Sequence, residues 1–389
     1  VKLAYFVHDL NDPAVLRRVR MLRAGGAQPI VLGFHRGEAA PSDLAGAPAI
    51  DLGKTYDARL GHRARATAQA AASAGRWRSL LAGAGVVMAR SLEMLAVAQS
   101  ARTLCGLQAP LVYECLDIHR LMVGDGAKSR AMRAVERALL RKASLLIVSS
   151  PAFLEAYFKP RQGVGDRLPL RTLLLENKVL ELDEHPPRRP GPPPGPPWRI
   201  GWMGAIRCRK SLAILSDLAA RRPDLVDVVI HGRPAYTEFD DFDAEVRRLP
   251  NLRFGGAYTA GDLPRLYGET HFSWAIDYME EGLNSSWLLP NRLYESPRFG
   301  AVPVALADVQ TGRYLAEGGF GVRLDGPGDL EAFLEGLTPE AYARLRREVE
   351  AVPLSAFVAD VQDCRRLVAA LTGEAADAPE PSVTAKLVA

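Results

Sequence analysis

The chain has 389 residues, of which 48% are hydrophobic and 24% charged, with a formal net charge of +4 at neutral pH. This is enough chain and enough apolar surface for two domains rather than one compact core. No apolar run approaches the roughly 20 residues of a membrane-spanning helix, and the opening segment VKLAYFVHDL meets charge too early for a signal peptide.

The four cysteines, Cys105, Cys115, Cys208 and Cys364, show no C-x-x-C pair and no zinc-type histidine spacing. They read as reduced thiols of a cytoplasmic protein, with no metal site expected. Charge is unevenly spread: residues 1–180 hold 26 Lys and Arg against 14 Asp and Glu, a net of +12, which leaves −8 on the remainder. A basic half suggests an anionic partner, either lipid or nucleic acid. Nucleic acid is set aside, because there is no zinc finger, RNP-type aromatic run or paired recognition helix. Segment 59–81, RLGHRARATAQAAASAGRWRSLL, places five arginines and Trp77 among small apolar residues. It reads equally as a solvated surface helix or as a helix lying on anionic lipid, which would make the protein peripheral on the inner face of the cytoplasmic membrane.

In chain order, short apolar runs alternate with helical patterns: KLAYFV (2–7), PIVLGF (29–34), VVMAR (86–90), PLVYEC (110–115), SLLIVSS (144–150) and TLLLEN (172–177). The first intervening helix, in DPAVLRRVRMLRAGG, has Asp12 as N-cap, Pro13 in its first turn and Gly25 at its stop. Continuous Val/Ile/Leu runs separated by helices predict a parallel sheet covered on both faces. DEHPPRRPGPPPGPPWRIGWMG can form neither helix nor central strand and reads as a stiff connector. The pattern then resumes with RIGWMG (199–204), VDVVIHG (226–232), LRFGG (252–256), HFSWAI (271–276), AVPVAL (301–306) and GFGVRL (319–324). The expected organisation is an α/β chain of two Rossmann-like domains, 1–182 and 199–372, facing across a cleft. A linker covers 183–198, and a tail at 373–389 is expected to be disordered.

In such sheets ligands sit beyond the carboxyl ends of the strands, so the residues just after each strand are the informative ones. After 199–204 come Gly204, Arg207, Arg209 and Lys210 at the start of a helix, an arrangement suited to a diphosphate through backbone N–H groups, helix dipole and cationic side chains. A basic surface turn is the plain alternative. Gly232 ends the next strand where backbone can pass close to a ligand, and a later strand ends at Asp277-Tyr278. In PNRLYESPRFGAVPV (290–304) a charged pair, Arg292 and Glu295, precedes a Gly-x-x-Pro step. In the first half, His8 and Asp9 follow strand one, Arg90 and Ser91 end VVMAR and start the next helix, and Asp117 and His119 follow PLVYEC. A carboxylate there can take a proton from a reacting hydroxyl, whereas the plain readings are helix caps: Asp117 for its own helix, Ser91 for the other.

The ordered segments IGWMG…K, IHG, NLRFGGAY…DLPRLY and LPNRLYE…FGAVPVA resemble the nucleotide-binding half of GT-B glycosyltransferases, especially family-4-like enzymes of bacterial exopolysaccharide synthesis. The likeness extends from strand one to about residue 371, carried by order and spacing. It implies a donor site of Gly204, Arg207, Arg209, Lys210, Gly232, Tyr278, Asn291, Arg292 and Glu295, with Arg292 on diphosphate and Glu295 on ribose. The PLVYECLDIHRL stretch also resembles a xanthan-type glucuronosyltransferase, in which the aspartate matching Asp117 is the general base; His119 and Asp9 are further catalytic candidates, and His8 and Arg90 lie on the acceptor side. Two departures stand out: retaining relatives commonly carry a second Glu eight positions before the ribose-binding one, where this chain has Trp287, and a Gly-Gly loop after strand one is replaced by VHDLNDPA. The resemblance implies transfer of a sugar from a nucleoside diphosphate donor, UDP-linked above others, to a lipid-linked or oligosaccharide acceptor, with no cofactor or metal. A sugar-nucleotide epimerase on the same fold and a non-catalytic member of a polysaccharide assembly complex are the alternatives.

Overall fold

A computed structural model describes residues 1–56, 60–183 and 185–374. The chain divides into two units: Val1–Glu176 joined by the C-terminal segment from Ala359, and Asn177–Val358.

In the first unit an eight-stranded sheet is built from β1 (Lys2–Val7), β2 (Gln28–His35), β3 (Asp43–Leu44), β4 (Ala47–Lys54), β5 (Val86–Arg90), β6 (Leu111–Cys115), β7 (Leu145–Val148) and β8 (Arg171–Leu174). Its order is β3-β4-β2-β1-β5-β6-β7-β8, parallel except for β3 against β4. Every residue of β5, β6 and β7 is buried, which explains why these runs are apolar apart from Arg90 and Glu114. The first helix, Pro13–Ala24, begins as expected, with the Asp12 side chain accepting from the Ala14 N–H.

In the second unit, after a short strand β9 (Val179–Leu180), six strands form a wholly parallel sheet: β10 (Trp198–Ile206), β11 (Val226–Pro234), β12 (Leu252–Phe254), β13 (Phe272–Trp274), β14 (Val302–Leu306) and β15 (Val322–Leu324). The order β12-β11-β10-β13-β14-β15 is that of a doubly wound Rossmann sheet, with its switch point between β10 and β13. Trp198, Trp202 and Trp274 are fully buried, and the Trp274 indole N–H donates to Ser211 Oγ at 3.1 Å, tying β13 to the helix Arg209–Arg221.

The boundaries differ from those read in the sequence. The chain passes between units at Glu176–Asn177, not through 183–198. The Pro/Gly-rich stretch lies on the second unit, held by polar contacts that composition does not reveal. His271 Nε2 and the Pro193 carbonyl are 2.9 Å apart, and Arg298 donates to the Pro186 carbonyl at 2.7 Å. Helix Val361–Thr372, expected in the second domain, instead belongs to the first unit. There Gly25 lets it approach the helix Pro13–Ala24 so closely that a Cβ would stand 2.2 Å from the Cys364 carbonyl oxygen. The expected tail lies outside the described residues from 375 onward. Trp77 is 5% exposed and packs its ring 5.9 Å from Phe6, so it is not a lipid-facing anchor. The four cysteines are free and buried. Among the described residues no helix is long and apolar enough to cross a membrane.

The register of β10 on β11 sets Gly204 opposite Gly232, at φ +121° and +146°. A Cβ on Gly232 would lie 1.8 Å from the Gly204 carbonyl oxygen. Gly232→Ala is therefore expected to cost about 1–3 kcal/mol from backbone strain, with a further steric penalty. Urea denaturation measures this, and unchanged stability would contradict the close approach.

Candidate functional site: the strand ends of the two units

In the second unit, β10 pairs with β13 only at Ile200–Phe272 and Gly201–Ser273, while β10 runs on beside β11 to Ile206. The two strands at the switch point therefore separate toward their carboxyl ends and open a crevice between them. Into it projects Arg292, from the first position of the helix Arg292–Phe299. Its Nη2 donates to the Ile276 carbonyl at 3.1 Å, and its Nη1 lies 3.8 Å from where a Cβ on Gly204 would stand. Its buried Nε has no hydrogen-bond partner among the described residues. A guanidinium fixed by one backbone carbonyl and otherwise open toward glycine is placed to receive an anion.

One helical turn on, Glu295 accepts a 3.0 Å hydrogen bond from the hydroxyl of the buried Tyr267. Burial and the Glu295 charge both push the Tyr258 hydroxyl pKa up, with Arg292 acting against them, so Tyr258 stays a neutral donor beside this pair. Asn291 precedes the helix, exposed, and makes no side-chain capping bond.

The loop after β13 is met by Lys210 and Arg207 and contains Tyr278. Lys210 Nζ is 2.8 Å from both Glu281 carboxylate oxygens and 4.2 Å from the centroid of the Tyr278 ring. Tyr278 is buried, and its hydroxyl has no partner among the described residues. Arg207 sits 3.9 Å from Asp277. Arg292 and Lys210 thus reach the same segment, Ile276–Glu281. Arg209 does not join them: it turns out to Asp240 at 2.7 Å and to the Glu238 carbonyl at 3.1 Å. Its place in the first turn of a helix alternates it away from Lys210, which a sequence of three adjacent cations cannot show.

In the first unit the candidate residues surround the ends of β1, β5 and β6. Beneath them lies a charged cluster that the sequence reading missed. Glu114, fully buried in β6, accepts from Tyr5 Oη at 2.6 Å, Arg18 Nε at 2.6 Å and Arg90 Nε at 2.8 Å. Burial opposes its ionisation, but Arg90 and Arg18 more than offset that and hold its pKa down to about 2. The available signal was one charge inside an otherwise apolar strand run. Arg90 keeps its Nη1 buried with no hydrogen bond among the described residues, 3.8 Å from Asp12. Ser91 does not cap its helix: its φ is +80°, rare for a residue with a Cβ, and its Oγ is buried with no partner among the described residues.

His8 Nε2 stands 3.6 Å from Asp12, and burial lowers the His8 pKa against the pull of Asp12. Asp9 is 8% exposed and accepts from the backbone N–H groups of Asn11 and Arg36, so it braces the loop after β1. The cap of the helix Arg120–Val123 is His119, whose Nδ1 accepts from the Leu121 N–H at 3.2 Å. Asp117 is exposed beside it. Burial lowers the His119 pKa and Asp117 opposes this, while the ion pair of Arg63 and Glu93 also bears on it.

A full-length relative decides the family. The chain is 45% identical over 389 residues to the succinoglycan biosynthesis protein ExoL of Rhizobium meliloti (strain 1021), covering 98% of this chain and 95% of that protein. The chain belongs to the ExoL family of exopolysaccharide biosynthesis proteins. No protein-family model matches it. Among solved structures, sucrose-phosphate synthase from Thermosynechococcus elongatus superposes with a TM-score of 0.70 at 14% identity, over 95% of this chain and 98% of that one. Anabaena HepE in complex with UDP gives 0.66 at 16% identity, over 96% and 100%. The lipopolysaccharide outer core galactosyltransferase WaaB gives 0.62 at 13% identity, over 92% and 96%. The fold of this ExoL family member is GT-B, as its sequence resemblance implied.

Because Glu114 neutralises two buried guanidinium groups, Glu114→Gln is expected to cost about 3–5 kcal/mol at pH 7. With its pKa depressed on folding, the Glu114 contribution is complete above its unfolded value of about 4.3 and is lost as pH falls toward 2. Urea denaturation across pH 2–7 should show that acid slope reduced in the variant, whereas an unaltered slope would remove the cluster from the account.

Proposed function

We propose that this chain is a glycosyltransferase of exopolysaccharide synthesis whose second unit binds a nucleoside diphosphate sugar, UDP-linked, and whose first unit binds a lipid-linked or oligosaccharide acceptor. The observation that carries the reading is the pairing of Arg292 and Glu295 on one helix face at the switch point, the first directed at Gly204 and the second held by Tyr267. A guanidinium can engage two phosphate oxygens, and a carboxylate can accept from vicinal ribose hydroxyls. ExoL family membership supports a role in exopolysaccharide synthesis, and the solved complexes of HepE with UDP and UDP-glucose support this choice of donor.

In the reaction the acceptor hydroxyl oxygen bonds to the anomeric carbon and the bond from that carbon to the diphosphate oxygen breaks. The hydroxyl proton passes to a base, and the nucleoside diphosphate leaves. Arg292, Lys210 and the amino end of the helix Arg209–Arg221 stabilise the charge that grows on the leaving group. For Lys210 this requires release from Glu281. Asp117, exposed at the end of β6, is the proton acceptor if configuration inverts and positions the hydroxyl if it is retained. Trp287, standing where retaining relatives carry a second Glu, leaves no carboxylate at that position.

Calorimetry with UDP-glucose and with GDP-, ADP- and dTDP-sugars tests the donor. Arg292→Ala should weaken binding at least tenfold, and equal affinity would remove Arg292 from the site. Glu281→Gln should tighten donor binding several-fold by freeing Lys210; weaker or unchanged binding would place Lys210 outside it. Asp117→Asn should leave donor affinity intact while lowering transfer by about 10²–10⁴, read as radiolabelled sugar moved to lipid-extracted acceptor. Unchanged transfer would exclude Asp117 from the chemistry.

A further inference from the structure

The second unit carries a cavity of about 420 Å³ lined in part by His185, Arg188, Arg298 and Glu350. It lies at the end of the helix Arg292–Phe299 that leads through Gly300 into the start of β14. Arg292 occupies the opposite end, about 9 Å away along the axis. A ligand here is therefore at the amino edge of the sheet, away from the strand-end crevice.

Two guanidinium groups line this cavity, those of Arg188 and Arg298, and a third, Arg346, is bonded to Glu350 in its wall. Arg298, 2% exposed, is engaged by Glu181 through Nε at 2.6 Å and Nη2 at 3.1 Å. Arg346 donates to Glu350 at 3.1 Å, and its guanidinium fills the space where a Cβ on Gly191 would stand. Arg188 donates Nε to the Arg298 carbonyl at 3.2 Å and has no carboxylate within ion-pair distance among the described residues. Among the described residues Glu181 and Glu350 ion-pair with Arg298 and Arg346, and the half-buried Arg188 ion-pairs with neither. Burial lowers the Arg188 pKa; Glu350 acts against this, and Arg298 and Arg346 add to it. An arrangement built only for stability would gain from a third carboxylate or from leaving Arg188 in water.

We propose that this cavity binds a phosphate group, with Arg188 supplying a guanidinium that neither Glu181 nor Glu350 engages in an ion pair. Its volume is at the low end of small-ligand cavities, about 300–1,000 Å³, and suits a phosphate or diphosphate headgroup. The ligand is either a free phosphate compound or the phosphate of a lipid headgroup. This proposal goes beyond the transfer reading and does not depend on it.

The test uses the full chain, with inorganic phosphate and pyrophosphate titrated calorimetrically at saturating UDP, and co-sedimentation with vesicles of phosphatidylcholine with or without phosphatidic acid. Binding that UDP does not displace, weakened about tenfold by Arg188→Gln and strengthened by Glu350→Gln, supports a free phosphate ligand. Co-sedimentation that needs both phosphatidic acid and Arg188, without binding of free phosphate, supports the lipid source. Pyrophosphate fully displaced by UDP, with no vesicle binding that depends on Arg188, overturns the proposal. So does any phosphate binding left unchanged by both variants. Should Arg188→Gln fail to fold, Glu350→Gln alone decides: tighter binding supports the site and unchanged affinity rejects it. If UDP itself does not bind, the donor reading fails separately, and the dependence of pyrophosphate binding on Arg188 is still measured.

Discussion

The close approach of Gly204 and Gly232 shapes the carboxyl end of the second unit's sheet. With both residues in backbone conformations that disfavour a Cβ, β10 and β11 stay pressed together to their ends. On the other side β10 pairs with β13 for only two positions. The sheet therefore opens on one side only, and Arg292 occupies that opening under the restraint of the Ile276 carbonyl. A Cβ on Gly232 would press on the Gly204 carbonyl, and one on Gly204 would stand 3.8 Å from Arg292 Nη1.

The first unit solves a related problem by a different means. Its switch-point residues are not glycines but a buried ionic cluster in which Glu114 fixes Arg90 and Arg18 together with Tyr5. The cost of burying these charges is offset only because each carboxylate oxygen is used, and the result is a guanidinium with little freedom at the end of β5. Ser91, strained beside it, and His8, held neutral at pH 7 by burial, share that edge. Rigid polar groups at strand ends have their orientation set before any ligand arrives, which lowers the entropic cost of binding.

Much of the fold was legible because parallel sheets buried on both faces write themselves as continuous apolar runs. VVMAR appeared as β5 with the same limits, and VDVVIHG as the body of β11. Strand β4, APAIDLGK, escaped because it lies toward the sheet edge and mixes buried with exposed positions, which breaks the run. The Pro-rich stretch announced an extended conformation, but which unit held it was decided by backbone carbonyls at Pro186 and Pro193, which composition cannot encode. That Arg292 and Glu295 share one helix was readable from spacing, while the roles proposed for them come from the resemblance. Whether Arg207, Arg209 or Lys210 turned toward it was not, since that depended on Asp240 and Glu281 from distant segments. Glu114 could have been suspected from a lone carboxylate in LVYEC, but its partner Arg18 is indistinguishable in sequence from Arg17.

The most direct test is a crystal structure of the full chain with UDP bound. The account predicts the diphosphate between the Gly204 backbone and the Arg292 guanidinium, with the ribose hydroxyls on Glu295. A nucleotide bound elsewhere, or with its phosphates facing away from Arg292, would contradict it.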